Sequence, residues 1–97
     1  MRLIIQPRGS GKTTDLIKRS AETGYRIITA TVRQVEYIEH LAIEMNLEIP
    51  EPVPIKHYLN FMRGIKKDEA VLIDNLDFVL STMLETKIDT VTMSFYD

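Results

Sequence analysis

Strongly apolar residues in this chain fall into short continuous runs, and the stretches between them repeat apolar positions at helical spacing. Leu3-Ile4-Ile5 predicts a first strand. Residues 13–23 carry Leu16, Ile17 and Ala21 on one side and stop at Gly24, the pattern of an amphipathic helix with a glycine end. Residues 27–30 form a second apolar run without polar alternation, as in a strand covered on both faces, which favours a parallel sheet. Val35, Ile38, Leu41, Ala42 and Met45 then recur at helical spacing in a segment ending near Asn46, and these positions are read as core. The proline-rich stretch Ile49-Pro50-Glu51-Pro52-Val53-Pro54 cannot be regular helix.

Beyond it, residues 57–63 predict a short helix ending at Gly64, and Lys66-Lys67-Asp68-Glu69 a solvated turn. Residues 70–73 give the clearest buried strand. Residues 78–85 predict a fourth helix packing through some of Phe78, Val79, Met83 and Leu84, and residues 90–93 a last strand. Strands separated by helices of this length imply right-handed crossovers and an α/β three-layer sandwich with a small parallel sheet of four to five strands. In such sheets ligands sit beyond the carboxyl ends of the strands. Polar residues gather at those ends: the loop at Gln6, then Thr29 and Thr31, then Asp74, then Ser94.

Composition narrows the classes. A chain of 97 residues is read as one domain spanning 1–97, with no room for two lobes. The absence of cysteine excludes disulfides and thiolate metal sites and fits a reducing compartment. Only three strongly apolar residues follow Met1-Arg2, so neither a secretory signal nor a membrane span is predicted, and the expected location is cytoplasmic. A formal net charge of −2 does not favour the phosphate attraction behind tight nucleic-acid binding, although a local basic patch is compatible with it.

The most specific chemistry lies directly after the first apolar run. Gln6-Pro7-Arg8-Gly9-Ser10-Gly11-Lys12-Thr13-Thr14 reads as a phosphate-binding loop between a strand and a helix. Glycines let the backbone approach phosphate oxygens, and the following helix offers unpaired N–H groups and the positive end of its dipole. Arg8, Gly9, Ser10, Gly11, Lys12, Thr13 and Thr14 are the expected phosphate contacts. Lys12 is placed to reach the β and γ phosphates, and the Thr13 hydroxyl to ligate Mg²⁺. An ordinary glycine turn is the plain alternative. Gln6 stands where the usual pattern has glycine.

A second half of a nucleotide site is read at Val71-Leu72-Ile73-Asp74, where an aspartate at the tip of a buried strand offers a hard oxygen ligand beside the phosphates. Asp74 as a simple helix cap is the alternative, since aspartate favours that position in any protein.

With both motifs in hand, the chain resembles the P-loop NTPases with RecA-like, additional-strand cores, and especially the first ATPase lobe of superfamily-two helicases and phage terminases. Residues 6–13 look like the helicase version of the loop, with Gln6 in place of the usual alanine. Ile27-Ile28-Thr29-Ala30-Thr31-Val32-Arg33-Gln34 is similar to helicase motif Ia, Asp74-Asn75-Leu76-Asp77 falls where that family has Asp-Glu-x-x, and Thr92-Met93-Ser94 falls on the motif III strand. The resemblance implies that the last strand inserts between the first and the Asp74 strand, leaving the second toward an edge. It also implies catalytic roles for Lys12 and Asp74, with Thr13 and Asp74 as the Mg²⁺ ligands.

One position departs from the family's chemistry. Asn75 occupies the place of the glutamate that polarises the attacking water, and an amide orients water without accepting a proton. Asp77 is the candidate replacement, against its plain role as a solvated acid in a first helical turn. Arg8 and Arg33 are the local candidates for a missing arginine finger.

Weaker signals complete the survey. Arg33 reads first as a surface charge and second as a contact to phosphate or nucleic-acid backbone, His40 and His57 have no metal spacing, and Tyr58 with Phe61 is read as packing before base stacking. The expected function is Mg²⁺-dependent binding of ATP or another nucleoside triphosphate by a minimal P-loop domain, with slow or partner-dependent hydrolysis, of phage origin or within a nucleic-acid machine. A nucleotide-dependent binding or regulatory module without turnover, and a small nucleotide kinase, are the alternatives. Expected partners are the nucleotide, a protein partner or a second copy of the chain, with weak or no nucleic-acid binding alone and no membrane.

Overall fold

The computed structural model describes residues 4–5, 11–62 and 70–94. Its elements run α1 (Lys12–Thr23), β1 (Arg26–Thr29), α2 (Val32–Glu44), β2 (Val53–Pro54), α3 (Ile55–His57) continuing into a π-helical stretch (Tyr58–Met62), β3 (Val71–Ile73) and α4 (Leu76–Leu84). The described strands form one parallel sheet in the order β2-β1-β3. Ile28 pairs with Val53 on one side of β1, and Ile27 pairs with Leu72 on the other.

Alternation along β1 divides the core, because successive strand residues point to opposite faces. Ile27, fully buried, packs with Ile17 of α1 and with Ile38 and Ala42 of α2. Ile28 packs on the opposite face with Val53, Ile55 of α3 and Val79 of α4. Helices therefore cover both faces of the sheet, which is the three-layer α/β arrangement expected from the apolar runs. α1 ends as anticipated at Gly24, whose φ of 75° lies in the left-handed region that glycine adopts without strain.

Among the described residues the sheet has three of the four to five strands expected. Two other expectations about it are corrected. Residues 90–93 run as irregular chain, as do Ile4 and Ile5, with Ile5 76% and Val91 61% exposed; Leu3 lies outside the described residues. The strand at 26–29, expected toward an edge, is central, because the proline-rich segment supplies a neighbour on its far side. Pro54 is tolerated there because β2 is an edge strand whose end needs no further ladder donor.

Residues 70–73 read as the clearest buried strand, yet in β3 Val71 and Ile73 are 36% and 39% exposed. Only one of its edges is paired among the described residues, and Leu72 alone turns toward the α1–α2 layer. The short helix expected at 57–63 instead starts at Ile55 and widens into the π-helical stretch ending at Met62. Tyr58, Leu59 and Met62 pack there on the Ile28 cluster, whereas Phe61 is exposed and rests beside the His57 ring at 5.1 Å. A 2.7 Å bond from Lys56 Nζ to Glu85 Oε1 ties α3 to the end of α4, and it holds the Glu85 carboxyl below its usual range.

Candidate functional site

Gly11 caps the start of α1 with φ 89° and ψ 16°. Among the described residues no atom lies within 4 Å of where a Cβ would stand, and the left-handed backbone selects glycine. The first rung of the helix is the 3.0 Å bond from Asp15 N–H to the Gly11 carbonyl. The N–H groups of Lys12, Thr13 and Thr14 precede that rung and have no acceptor within the helix, so α1 opens on a set of donors at the positive end of its dipole.

The chain returns to this place at the carboxyl end of β3. Asp74 N–H donates to the Ile28 carbonyl at 3.0 Å, which fixes the residue at the strand tip. Its side chain is buried, 4% exposed, and its Oδ1 accepts from Thr13 Oγ1 at 3.3 Å. The adjacent pair meets in parallel: Lys12 Nζ donates to Asn75 Oδ1 at 3.4 Å. The cap of α4 is Asn75 rather than Asp74, so the helix-cap alternative for Asp74 does not describe this chain.

Burial pushes the Asp74 carboxyl above its usual range, and the Thr13 hydrogen bond and the Lys12 charge offset only part of that cost. The result is a desolvated carboxylate short of positive charge, next to a hydroxyl oxygen. Hard oxygen donors of this kind suit Mg²⁺, which takes one or two protein ligands and completes its shell with phosphate oxygens and water. Among the described residues no three His, Asp or Glu side chains gather into a cage, and such a cation does not need one.

Asn75 has φ 58° and ψ 70°, a left-handed conformation that asparagine adopts more readily than glutamate. The backbone at this position thus suits an amide. Asp77 lies in the exposed first turn of α4.

These groups border an open cleft of about 1260 Å³. Gly11, Lys12, Thr13, Thr14, Asn75 and Asp77, all expected from sequence, line it, and Asp74 sits buried beside Thr13. Arg8, Gly9 and Ser10 lie outside the described residues. Arg33 is exposed at the start of α2 and is not among the described cleft residues. His40 is a surface residue 3.2 Å from Glu44, and among the described residues it belongs to no group of three His, Asp or Glu side chains that could hold a metal.

The far walls of the cleft were not anticipated. Gln34, Tyr37 and Leu41 of α2 face it, as do Phe78, Ser81 and Thr82 of α4. One signal was legible: Thr31-x-x-Gln34 has the capping-box form. Thr31 Oγ1 accepts from Gln34 N–H at 3.3 Å, and Gln34 Oε1 accepts from Ala30 N–H at 3.2 Å. Thr29 Oγ1 donates to the Thr31 carbonyl at 3.0 Å, which completes a polar turn at the carboxyl end of β1.

No protein-family model matches the chain, and neither curated proteins nor solved structures give a match. No helix among the described residues is long and apolar enough to cross a membrane.

Proposed function

We propose that this chain is a minimal P-loop domain that binds a nucleoside triphosphate, ATP or another, with Mg²⁺. The observation that carries the reading is the contact between Thr13 and Asp74, which joins the start of a glycine-capped helix to a buried carboxylate at a strand tip. The helix-start amides of Lys12, Thr13 and Thr14 would hold phosphate oxygens, and Lys12 would neutralise charge on the outer phosphates. Thr13 and Asp74 would hold the metal, which when bound supplies positive charge against the phosphates. Cofactors, partners and a cytoplasmic location belong to the same proposal, as does origin in a phage or a nucleic-acid machine.

Turnover is proposed to be slow or partner-dependent. Asn75 orients water without taking its proton, and the described residues bring no arginine to the cleft wall. That feature favours the second reading, a nucleotide-dependent binding module, over a nucleotide kinase. The fuller sheet of four to five strands would add strands along the edge of β3 that has no partner among the described residues, beside exposed Val71 and Ile73; left open, that edge is also a surface for a second copy of the chain.

Titration of the folded protein with ATP, GTP and ADP, with and without Mg²⁺, tests the proposal. Triphosphate binding strengthened by Mg²⁺ is expected. No binding at millimolar ligand in calorimetry would sink it.

A further inference from the structure

The cleft is larger than a phosphate site requires. Sites that take small organic ligands usually measure about 300–1,000 Å³, and this one, at about 1260 Å³, continues from the start of α1 between α2 and α4. α2 turns Val35, Ile38 and Ala42 into the protein. It carries a second stripe, Gln34, Tyr37 and Leu41, at three- and four-residue spacing along the cleft. α4, from the opposite side of the sheet, presents Phe78, Ser81 and Thr82 at the same kind of spacing.

Tyr37 and Phe78 are 58% and 46% exposed, and neither ring belongs to the two core clusters. Core packing therefore does not account for two aromatic side chains bordering one cleft whose other end holds Lys12 and Thr13. Flat aromatic faces beside a phosphate-binding end suit a ligand with an anionic tail and a π-faced ring, since every base can stack on such a side chain.

We infer that the base of the bound nucleotide lies in this cleft against Tyr37 and Phe78, while its phosphates lie at Lys12 and Thr13. The inference rests on the phosphate reading proposed above. It makes Tyr37 and Phe78 binding residues for the ring end, and it assigns the chain a nucleotide rather than inorganic polyphosphate as ligand. Stacking of this kind tolerates any base, so ATP and GTP bind within a few-fold of each other.

Calorimetric titration of the whole chain with Mg²⁺-ATP and with Mg²⁺-tripolyphosphate separates the two ends. Tyr37→Ala and Phe78→Ala each weaken ATP about tenfold and leave tripolyphosphate unchanged, whereas Tyr37→Phe keeps the ring and the affinity. Lys12→Ala weakens both ligands. Circular dichroism and thermal melting confirm that the variants are folded. Unchanged ATP affinity in both aromatic variants overturns the inference and leaves the phosphate site standing. Equal loss of ATP and tripolyphosphate in those variants also overturns it, since the rings would then act through the fold. Failure of wild type to bind either ligand removes the phosphate reading and this inference with it. A short oligothymidine that binds wild type, loses affinity in Tyr37→Ala and is indifferent to Lys12→Ala would give the rings to single-stranded nucleic acid instead, again overturning it.

Discussion

Thr13 Oγ1 donates to Asp74 Oδ1 at 3.3 Å across 61 residues of sequence. The contact brings two motifs that are separately ambiguous into one place, a glycine turn that opens a helix and an aspartate that ends a strand. Its neighbour, Lys12 with Asn75 at 3.4 Å, is long for a strong hydrogen bond and leaves the ammonium group available to a competing anion.

The first prediction concerns that pair of oxygens. Thr13→Val keeps the shape of the side chain and removes the hydroxyl, so Mg²⁺-dependent enhancement of triphosphate binding should fall at least tenfold while the protein stays folded. Thr13→Ser should restore most of it. Titrations at fixed nucleotide with increasing Mg²⁺ give the answer; equal Mg²⁺ enhancement in Thr13→Val and wild type would remove Thr13 from the metal site.

Asp74 makes stability depend on pH in a stated direction. Its carboxyl titrates above the ordinary value near 3.8 because it is desolvated. Between that value and the raised one, the folded state therefore holds more protons than the unfolded state. Stability contributed by Asp74 is fully present below the unfolded value and is lost as pH rises through the folded one. Asp74→Asn should flatten this part of the profile and raise metal-free stability at neutral pH, because it removes the cost of burying a charged carboxylate. Wild-type affinity for Mg²⁺ should rise over the same window as the carboxylate forms. Thermal melts from pH 4 to 8, with and without Mg²⁺, check both signs.

Much of this arrangement was legible in the sequence, for identifiable reasons. The apolar run at β1 and the helical spacing in α1 and α2 report burial directly, the run at β3 reports a strand but not its exposure, and Gly11, Lys12 and Thr13 announce a helix start with a charge beside it. The edge strand β2 was not legible because prolines mask a two-residue pairing whose ladder is supplied by the partner strand. Ile4-Ile5 and the run at 90–93 show the converse: apolar composition gives strand preference, but pairing depends on a neighbour that sequence does not specify. Phe78 reads as packing in its helix and Tyr37 falls off the core stripe of α2, so sequence assigns neither to the cleft, which only the exposure of the two rings reveals.

The exposed edge of β3 leads to a prediction about association. A parallel strand with one edge unpaired among the described residues and exposed Val71 and Ile73 invites strand addition by a second chain. Sedimentation over a wide concentration range should show reversible self-association that Ile73→Lys suppresses. A strict monomer, with and without nucleotide, would rule out association through this edge without touching the fold.

Nucleic-acid binding by the isolated chain should be weak, because its net charge of −2 gives no general attraction to phosphates. Any binding should fall steeply with salt and weaken further in Arg33→Ala. Submicromolar affinity for single or double strands at physiological salt would contradict this and favour a helicase-like role.

The final prediction turns on Asn75. Slow intrinsic hydrolysis is expected because its amide cannot accept the proton of an attacking water, and a missing arginine finger alone is worth about 10³–10⁵ in rate in related phosphoryl transfer. Asn75→Glu supplies a carboxylate and should raise turnover at least tenfold where the rest of the site is competent, since a positioned base contributes about 10²–10⁴. The backbone opposes the change: at φ 58° a glutamate costs about 1 kcal/mol of stability relative to asparagine. Asn75→Gly separates the two effects, keeping the left-handed backbone without strain while offering no proton acceptor, so it should stay folded and gain no activity. Single-turnover phosphate release in the three proteins, with melts alongside, decides between them. Wild-type turnover of several per second without a partner would show that Asn75 does not limit the reaction, and Asp77, in the next turn of the same cleft wall, would be the residue to replace.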